Sequence, residues 1–144
     1  MSFGKIAFDE IEKNRSQLWQ LAKRIWDNPE GPNREYNACK WSAEMLEAAG
    51  FDVRIGAGGL STAVKASFGA GSPVIAFLGE YDALRGLSQK TVTWQEPAVE
   101  GGWGHGCGHN LLGAGHIGAV IGLAHEMKAN NLPGTIIYYG CPAE

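Results

Sequence analysis

A cysteine and a histidine separated by one glycine, Cys107 and His109, are the residues of this chain best suited to bind a metal ion. Because alternate residues of an extended backbone point to the same side, the thiolate and the imidazole can face one ion together. Zinc and its neighbouring transition metals accept both ligand types. Two ligands do not complete a site, so the spacing predicts part of a metal centre whose other ligands come from elsewhere in the fold.

The same two side chains allow two other interpretations. One is a glycine-rich turn with a buried thiol and a histidine that caps the following helix. The other is a thiol hydrolase in which Cys107 is the nucleophile, a nearby histidine the base and Asn110 the orienting group. A cysteine and a histidine two residues apart in a tight loop are poorly placed for that hydrogen bond, which favours the metal site.

Acidic side chains follow two predicted strands where the strands end. Glu80 and Asp82 come directly after the apolar strand 73–78, and Glu144 follows the strand 135–139. Ligands of open α/β sheets bind beyond the carboxyl ends of the strands, so we expect these acids near the glycine-rich loop. Glu144 is a candidate general base, and one acid of the first pair is a candidate to orient a ligand histidine. The alternative for all three is a solvated charge.

Two further histidines and one glycine motif carry weaker signals. His105 is expected in a supporting role in the loop, and His116 is expected to be a packing residue. The glycines at 113, 115 and 118 match a dinucleotide-binding fingerprint, but that motif must directly follow a strand. Here it lies inside a predicted helix, so the sequence does not favour nucleotide binding.

The hydrophobic periodicity predicts an α/β fold with a parallel or mixed sheet. Helices are predicted from Ile11 to Trp26, over 34–49 and over 110–129. Strands are predicted over 51–55, 61–68, 73–78 and 135–139, and 80–109 is predicted to be irregular. The strand 73–78 is nearly all apolar, which predicts burial on both faces. Glycines 115, 118 and 122 are predicted to pack one side of the last helix on the sheet.

Composition restricts the classes of partner. The 144 residues carry 12 basic and 15 acidic side chains, a net charge of −3, and the basic residues are scattered. A nucleic-acid surface needs clustered Lys and Arg, so none is predicted. No apolar run approaches the roughly 18 residues that would span a bilayer, and the first residues do not resemble a signal peptide. The three cysteines are expected to be reduced thiols in a cytoplasmic protein.

Three motifs together resemble a known family. They are GEYDAL at 79–84, GHGCGHNLLG at 104–113 and GCPAE at 140–144. They resemble the aminobenzoyl-glutamate hydrolase-like amidohydrolases, part of the zinc peptidase family that also contains aminoacylases and carboxypeptidase G-type enzymes. The resemblance implies a three-layer α/β/α catalytic domain. It also implies that residues 1–144 form the N-terminal portion of that domain, without the lid or dimerisation domain.

The resemblance also implies a function. A two-metal hydrolase of amide bonds in N-acyl or aminoacyl amino acids is expected, with aminobenzoyl-glutamate or dipeptide-like small molecules as substrates. Cys107 and His109 match metal ligands, Glu144 the general base and Asp82 the acid beside the metals, whereas Glu80 is not counted as a ligand. Zinc is the expected metal, with manganese or cobalt as alternatives, and the parent is expected to be an oligomer. The chain alone is expected to bind metal weakly without turnover, and a non-catalytic metal-binding or interaction module is the competing class.

Overall fold

The computed structural model of this chain describes residues 4–144, which form a mixed sheet packed against helices. The helices are α1 (Lys5–Lys13), α2 (Arg15–Asp27), α3 (Tyr36–Ala48) and α4 (His109–Asn130). The strands are β1 (Asp52–Ile55), β2 (Val64–Ala70), β3 (Val74–Glu80), β4 (Leu84–Arg85), β5 (Trp103–Gly104) and β6 (Gly134–Cys141), and a short 3-10 turn covers Ala57–Gly59. The predicted α/β class is therefore confirmed.

The sheet topology brings the ends of two strands to one edge. Four strands pair in the order β1-β2-β6-β3, and β4 pairs separately with β5. β3 and β6 are parallel and are joined through α4, whereas the other two pairs of the larger sheet are antiparallel. The register places Glu80 opposite Cys141. Residues that follow either strand therefore emerge at the same edge.

The core lies between the sheet and the helices. Along β2 and β6, buried Val64, Ala66, Ile136 and Tyr138 alternate with half-buried or exposed side chains. The helices α3 and α4 pack on the buried face, and α1 and α2 pack on α4. Within the described residues, the helices thus cover one face of the sheet.

Glycines allow α4 to approach its neighbours closely, but mostly not where the sequence predicts. A Cβ on Gly118 would lie 2.9 Å from a methyl carbon of Leu18, and one on Gly122 would lie 2.8 Å from the carbonyl oxygen of Ala7. These glycines therefore face α2 and α1, while Gly115 faces open space. The prediction that this side packs on the sheet is wrong, because α1 and α2 occupy it.

Two other sequence predictions need correction. The single helix from Ile11 to Trp26 is two helices that meet at Asn14, whose side-chain amide donates to the carbonyl and the carboxylate of Glu10. The strand 73–78 is not buried on both faces. β3 lies at an edge of the sheet, and Val74 is 60% exposed and Leu78 57% exposed. An apolar run looks the same whether or not both faces are covered.

The long segment 81–108, predicted as irregular over 80–109, contains only the short β4–β5 pair as regular structure. Its first residues are held by the body of the fold, because the amide of Ala83 donates to the carbonyl of Glu30 at 2.8 Å. Among residues 4–144, no helix combines the length and apolar character that crossing a membrane requires.

Candidate metal centre

Three side chains that can bind a metal converge where β3 and β6 end and α4 begins. A ring nitrogen of His109 and carboxylate oxygens of Glu80 and Glu144 all lie within 4.8 Å of one another. The Nε2 atom of His109 is 3.4 Å from Oε2 of Glu80 and 3.6 Å from Oε2 of Glu144. The histidine is buried, whereas the Glu144 side chain is 60% exposed. The cluster is therefore reached from solvent on the Glu144 side.

Asp82 determines which ring nitrogen of His109 carries a proton. Its side chain is fully buried, and both its Oδ1 and its carbonyl oxygen face His109 Nδ1, at 2.9 Å and 3.1 Å. A carbonyl oxygen can only accept, so Nδ1 carries the proton and donates it. In the neutral imidazole, Nε2 is then an unprotonated acceptor that faces the two glutamates. This arrangement is typical of a metal-binding histidine.

A close approach of helix to strand positions His109 beside Glu80. A Cβ on Gly113 would lie 2.6 Å from the carbonyl oxygen of Glu80, so only a glycine allows α4 to begin this near the end of β3. Gly108 precedes the helix with φ of 79°, in the left-handed region. Both glycines therefore serve to place the first residue of α4 at the site.

The geometry of the cluster fits a small divalent cation. Ligand atoms about 2.1 Å from a tetrahedral ion lie about 3.4 Å from each other, close to the two distances from His109 Nε2. One imidazole nitrogen and two carboxylate oxygens suit zinc, manganese or cobalt. An imidazole lone pair and two carboxylates repel one another unless a cation or a proton on Nε2 lies between them.

From the sequence, Glu80 is expected at this edge of the sheet but is not counted as a ligand. The family resemblance gives it no ligand role, yet its carboxylate lies in the cluster. The signal was available, because Glu80 ends a strand parallel to β6 and so shares its edge with Glu144. Burial and, to a smaller extent, the charge of Glu80 raise the pKa of the neighbouring Cys141 thiol.

Cys107 lies in the turn before α4 with an exposed thiol and is not part of this three-residue cluster. Its role as a ligand stays a prediction. For the thiol-hydrolase alternative, Asn110 has a different partner: its side-chain amide donates to the carbonyl of Ala22 at 3.2 Å. The structure therefore gives Asn110 a link to α2 rather than to a histidine.

Two other histidines, His105 and His116, lie outside the cluster. His105 is buried, its Nε2 is 3.2 Å from the carbonyl oxygen of Ile25, and its ring stacks on Trp26. Burial lowers the pKa of His105. His116 packs edge-on against Phe77, with ring centroids 6.1 Å apart. Neither residue belongs to the cluster of potential ligands.

A cavity of about 540 Å³ lies beside His105. Trp103 and Lys90 line it, together with Trp26. Trp94 belongs to the same irregular segment but is 62% exposed and is not among the lining residues. The cavity is thus formed by the end of α2 and the irregular segment that precedes α4.

Fold and site together define an α/β protein with a candidate metal centre of hydrolase type. The comparisons with known proteins confirm the resemblance in sequence: the chain is 45% identical to a subunit of the p-aminobenzoyl-glutamate hydrolase of Escherichia coli, over 94% of this chain and 28% of that protein. It is 32% identical to the Xaa-Arg dipeptidase of Mus musculus, over 96% of this chain and 31% of that protein. None of the protein-family models searched matches the chain.

The fold gives the same result. A Bacillus subtilis protein described as a dinuclear metal-binding peptidase from the M20 family superposes with a TM-score of 0.76 and 26% identity, covering 92% of this chain and 36% of that one. This chain is accordingly similar to the metallo-amidohydrolases and peptidases identified from its motifs. It spans under a third of the length of the two curated relatives.

Proposed function

We propose that residues 1–144 form the N-terminal portion of the catalytic domain of a metal-dependent amidohydrolase. The observation that carries this proposal is the polarised histidine: His109 donates through Nδ1 to Asp82 and turns Nε2 toward Glu80 and Glu144. The similarity to an aminobenzoyl-glutamate hydrolase and a dipeptidase supports amide bonds in N-acyl or aminoacyl amino acids as the substrates.

The proposed ligands are His109 and Cys107, and the geometry adds Glu80 to them, with the Glu144 carboxylate close enough to contribute to metal affinity in the resting site. When bound, the metal supplies Lewis-acid polarisation of the scissile carbonyl and makes water at the site more acidic. Zinc is proposed because a thiolate and an imidazole suit it, with manganese and cobalt as alternatives. Oligomerisation of the parent and a cytoplasmic location belong to the same proposal, and three free cysteines support the location.

The chain's own acids have separate tasks in this proposal. An Oε atom of Glu144 accepts a proton from the attacking water and transfers it to the leaving amine, and its exposed side chain gives it access to both. Asp82 keeps the proton on Nδ1 of His109, so that Nε2 stays available as a ligand. The division follows from burial, because Asp82 is enclosed while Glu144 faces solvent.

Metal binding by the purified 144-residue chain tests the site. Zinc titration calorimetry and elemental analysis should detect weak binding that falls at least about tenfold in His109→Gln and in Cys107→Ser. His125→Gln is the matched control, since His125 lies near the opposite end of α4 and pairs with Glu10 at 3.5 Å. Equal binding in wild type and His109→Gln would overturn the site, and equal metal in Cys107→Ser would remove Cys107 from it.

A second experiment separates the enzyme from a non-catalytic metal-binding module. The 144-residue chain is expected not to hydrolyse aminobenzoyl-glutamate. A longer chain that includes the residues encoded after Glu144 in its gene is expected to hydrolyse it, and a chelator is expected to stop the reaction. Metal binding without hydrolysis of any N-acyl amino acid by the extended chain would support the module. Chelator-sensitive hydrolysis by the 144-residue chain would contradict the expected inactivity.

A further inference from the structure

A second carboxylate, Glu35, is completely buried and directly precedes α3. Among the described residues it forms no ion pair with a basic side chain, so hydrogen bonds alone compensate for its burial. Removing a carboxylate from water is costly unless such bonds replace the lost hydration. A buried acid of this kind therefore has a specific set of partners that explains its presence.

Its partners come from three separate segments of the chain. Oε1 accepts the amide of Asn33 at 2.8 Å and the amide of Ala143 at 2.9 Å, and Oε2 accepts the hydroxyl of Thr62 at 2.8 Å. Glu35 thus joins the start of α3 and the loop before β2 to the segment after β6. The bond to Ala143 spans 108 residues of sequence.

The Ala143 bond lies next to the proposed general base. Ala143 has φ of 56°, in the left-handed region that a residue with a Cβ adopts at a cost. A hydrogen bond from its amide to a buried carboxylate favours that conformation over the extended alternatives. The conformation turns the chain after β6 so that Glu144 reaches 3.6 Å from His109 Nε2.

A second connection runs from Glu35 to the loop that carries Asp82. The hydroxyl of Thr62 donates to Glu35, and the carbonyl oxygen of Thr62 accepts the buried hydroxyl of Tyr81. Tyr81 immediately precedes Asp82, which orients His109. One buried carboxylate is therefore connected to the segments that hold both acids of the proposed mechanism.

We propose that Glu35 is a positioning residue that fixes the Ala143–Glu144 segment and so holds the Glu144 carboxylate against His109. This inference rests on the proposed function to the extent that Glu144 belongs to the site. Glu35 acts through the backbone amide of Ala143, which it accepts at 2.9 Å, rather than as a member of the three-residue cluster.

Three variants of Glu35 and one control test the proposal in the 144-residue chain. Glu35→Gln keeps an Oε1 acceptor for both amides, Glu35→Asp keeps the charge but shortens the reach, and Glu35→Ala removes the acceptor. Glu126→Ala is the matched control, because Glu126 is also buried and accepts the amide of Ala7 at 3.0 Å, at the other end of α4. The two readouts are zinc affinity and hydrogen exchange of the Ala143 amide.

We expect Glu35→Ala and Glu35→Asp to lower zinc affinity at least about tenfold and to speed Ala143 exchange by a similar factor. Glu35→Gln should stay within about threefold of wild type in both readouts, and Glu126→Ala should leave both unchanged even if it lowers stability. If Glu35→Ala does not fold, the contrast between the Asp and Gln variants decides. Wild-type affinity and exchange in folded Glu35→Ala or Glu35→Asp would overturn the proposal.

The two readouts separate this inference from the proposed function. If the wild-type chain binds no metal, the proposed function fails, yet Ala143 exchange still decides whether Glu35 holds the segment. If metal binds and depends on His109 but is indifferent to Glu35, the site stands and the positioning role is wrong.

Discussion

At its first turn, α4 presents His109 and Asn110 to polar partners, whereas further along it presents Gly118 and Gly122 to the preceding helices. In the described residues, buried polar side-chain atoms without a protein hydrogen-bond partner occur in both regions: Oδ2 of Asp82 and Oδ1 of Asn110 at the first turn, and Nδ1 of His116 further along. In the middle of the helix the contacts are close and mostly apolar. The polar side chains that converge on the first turn make it the part of the helix suited to chemistry, whereas the glycines suit the middle to packing.

The packed middle is tested by adding one methyl group at two glycines of the same helix. Gly122→Ala places a Cβ 2.8 Å from the carbonyl oxygen of Ala7, whereas Gly115→Ala has nothing within 4 Å. Overpacking should cost Gly122→Ala about 1–3 kcal/mol of unfolding free energy, and Gly115→Ala should gain up to about 1 kcal/mol from helix propensity. Urea unfolding measures both values.

The contrast between the first turn and the packed middle of α4 would fail if Gly122→Ala and Gly115→Ala had the same unfolding free energy. Equal values would mean that α1 moves away from α4 at little cost and that close packing is not what selects glycine there. Zinc affinity is expected to change little in Gly115→Ala, because that residue faces open space.

The first turn is tested by Asp82→Asn. The amide side chain can donate to Nδ1 of His109 and so favour the wrong tautomer, with the proton on Nε2. We expect zinc affinity to fall by about 10–100-fold, the usual effect of removing a carboxylate that orients a ligand histidine. Titration calorimetry measures the affinity, and nitrogen NMR of His109 reports the tautomer. Unchanged affinity with an unchanged tautomer would show that Asp82 does not orient the ring.

Local sequence signals were sufficient for the elements that flank the site. The helix predicted over 110–129 is His109–Asn130, and the strand predicted over 135–139 is Gly134–Cys141. The apolar length of the helix and the turn at Pro133 fix these elements locally. The helix break at Asn14, where the side chain bonds Glu10, leaves no mark on the apolar periodicity of this region.

The site residues also divide into those that local sequence signals identify and those that they do not. His109 and Asp82 each lie in a short motif. Both could be identified as candidate site residues from their type and from their position at the end of a helix or strand. Glu35 could not, because its bond to Ala143 joins residues 108 positions apart and no local pattern encodes it. Glu80 lies between these cases, since recognising it required the parallel pairing of β3 with β6.

The smallest expected effect concerns the packed core, where the thiol of Cys39 should make the stability of the protein depend on pH. Burial raises its pKa from 9.0 to about 11. The unfolded thiol therefore loses its proton first as pH rises, so the unfolded state binds fewer protons and stability falls from about pH 9 toward pH 11. At pH 10 this linkage amounts to about 1 kcal/mol.

Urea unfolding at pH 8 and pH 10 should show a smaller loss of unfolding free energy for Cys39→Ala than for wild type, whatever the stability of the variant at pH 8. Cys107→Ala, whose thiol is exposed, is the matched control and should lose as much as wild type. Equal pH dependence in wild type and Cys39→Ala would mean that the thiol is not enclosed by the core, and the contrast between a packed interior and an open site would lose its support at this residue.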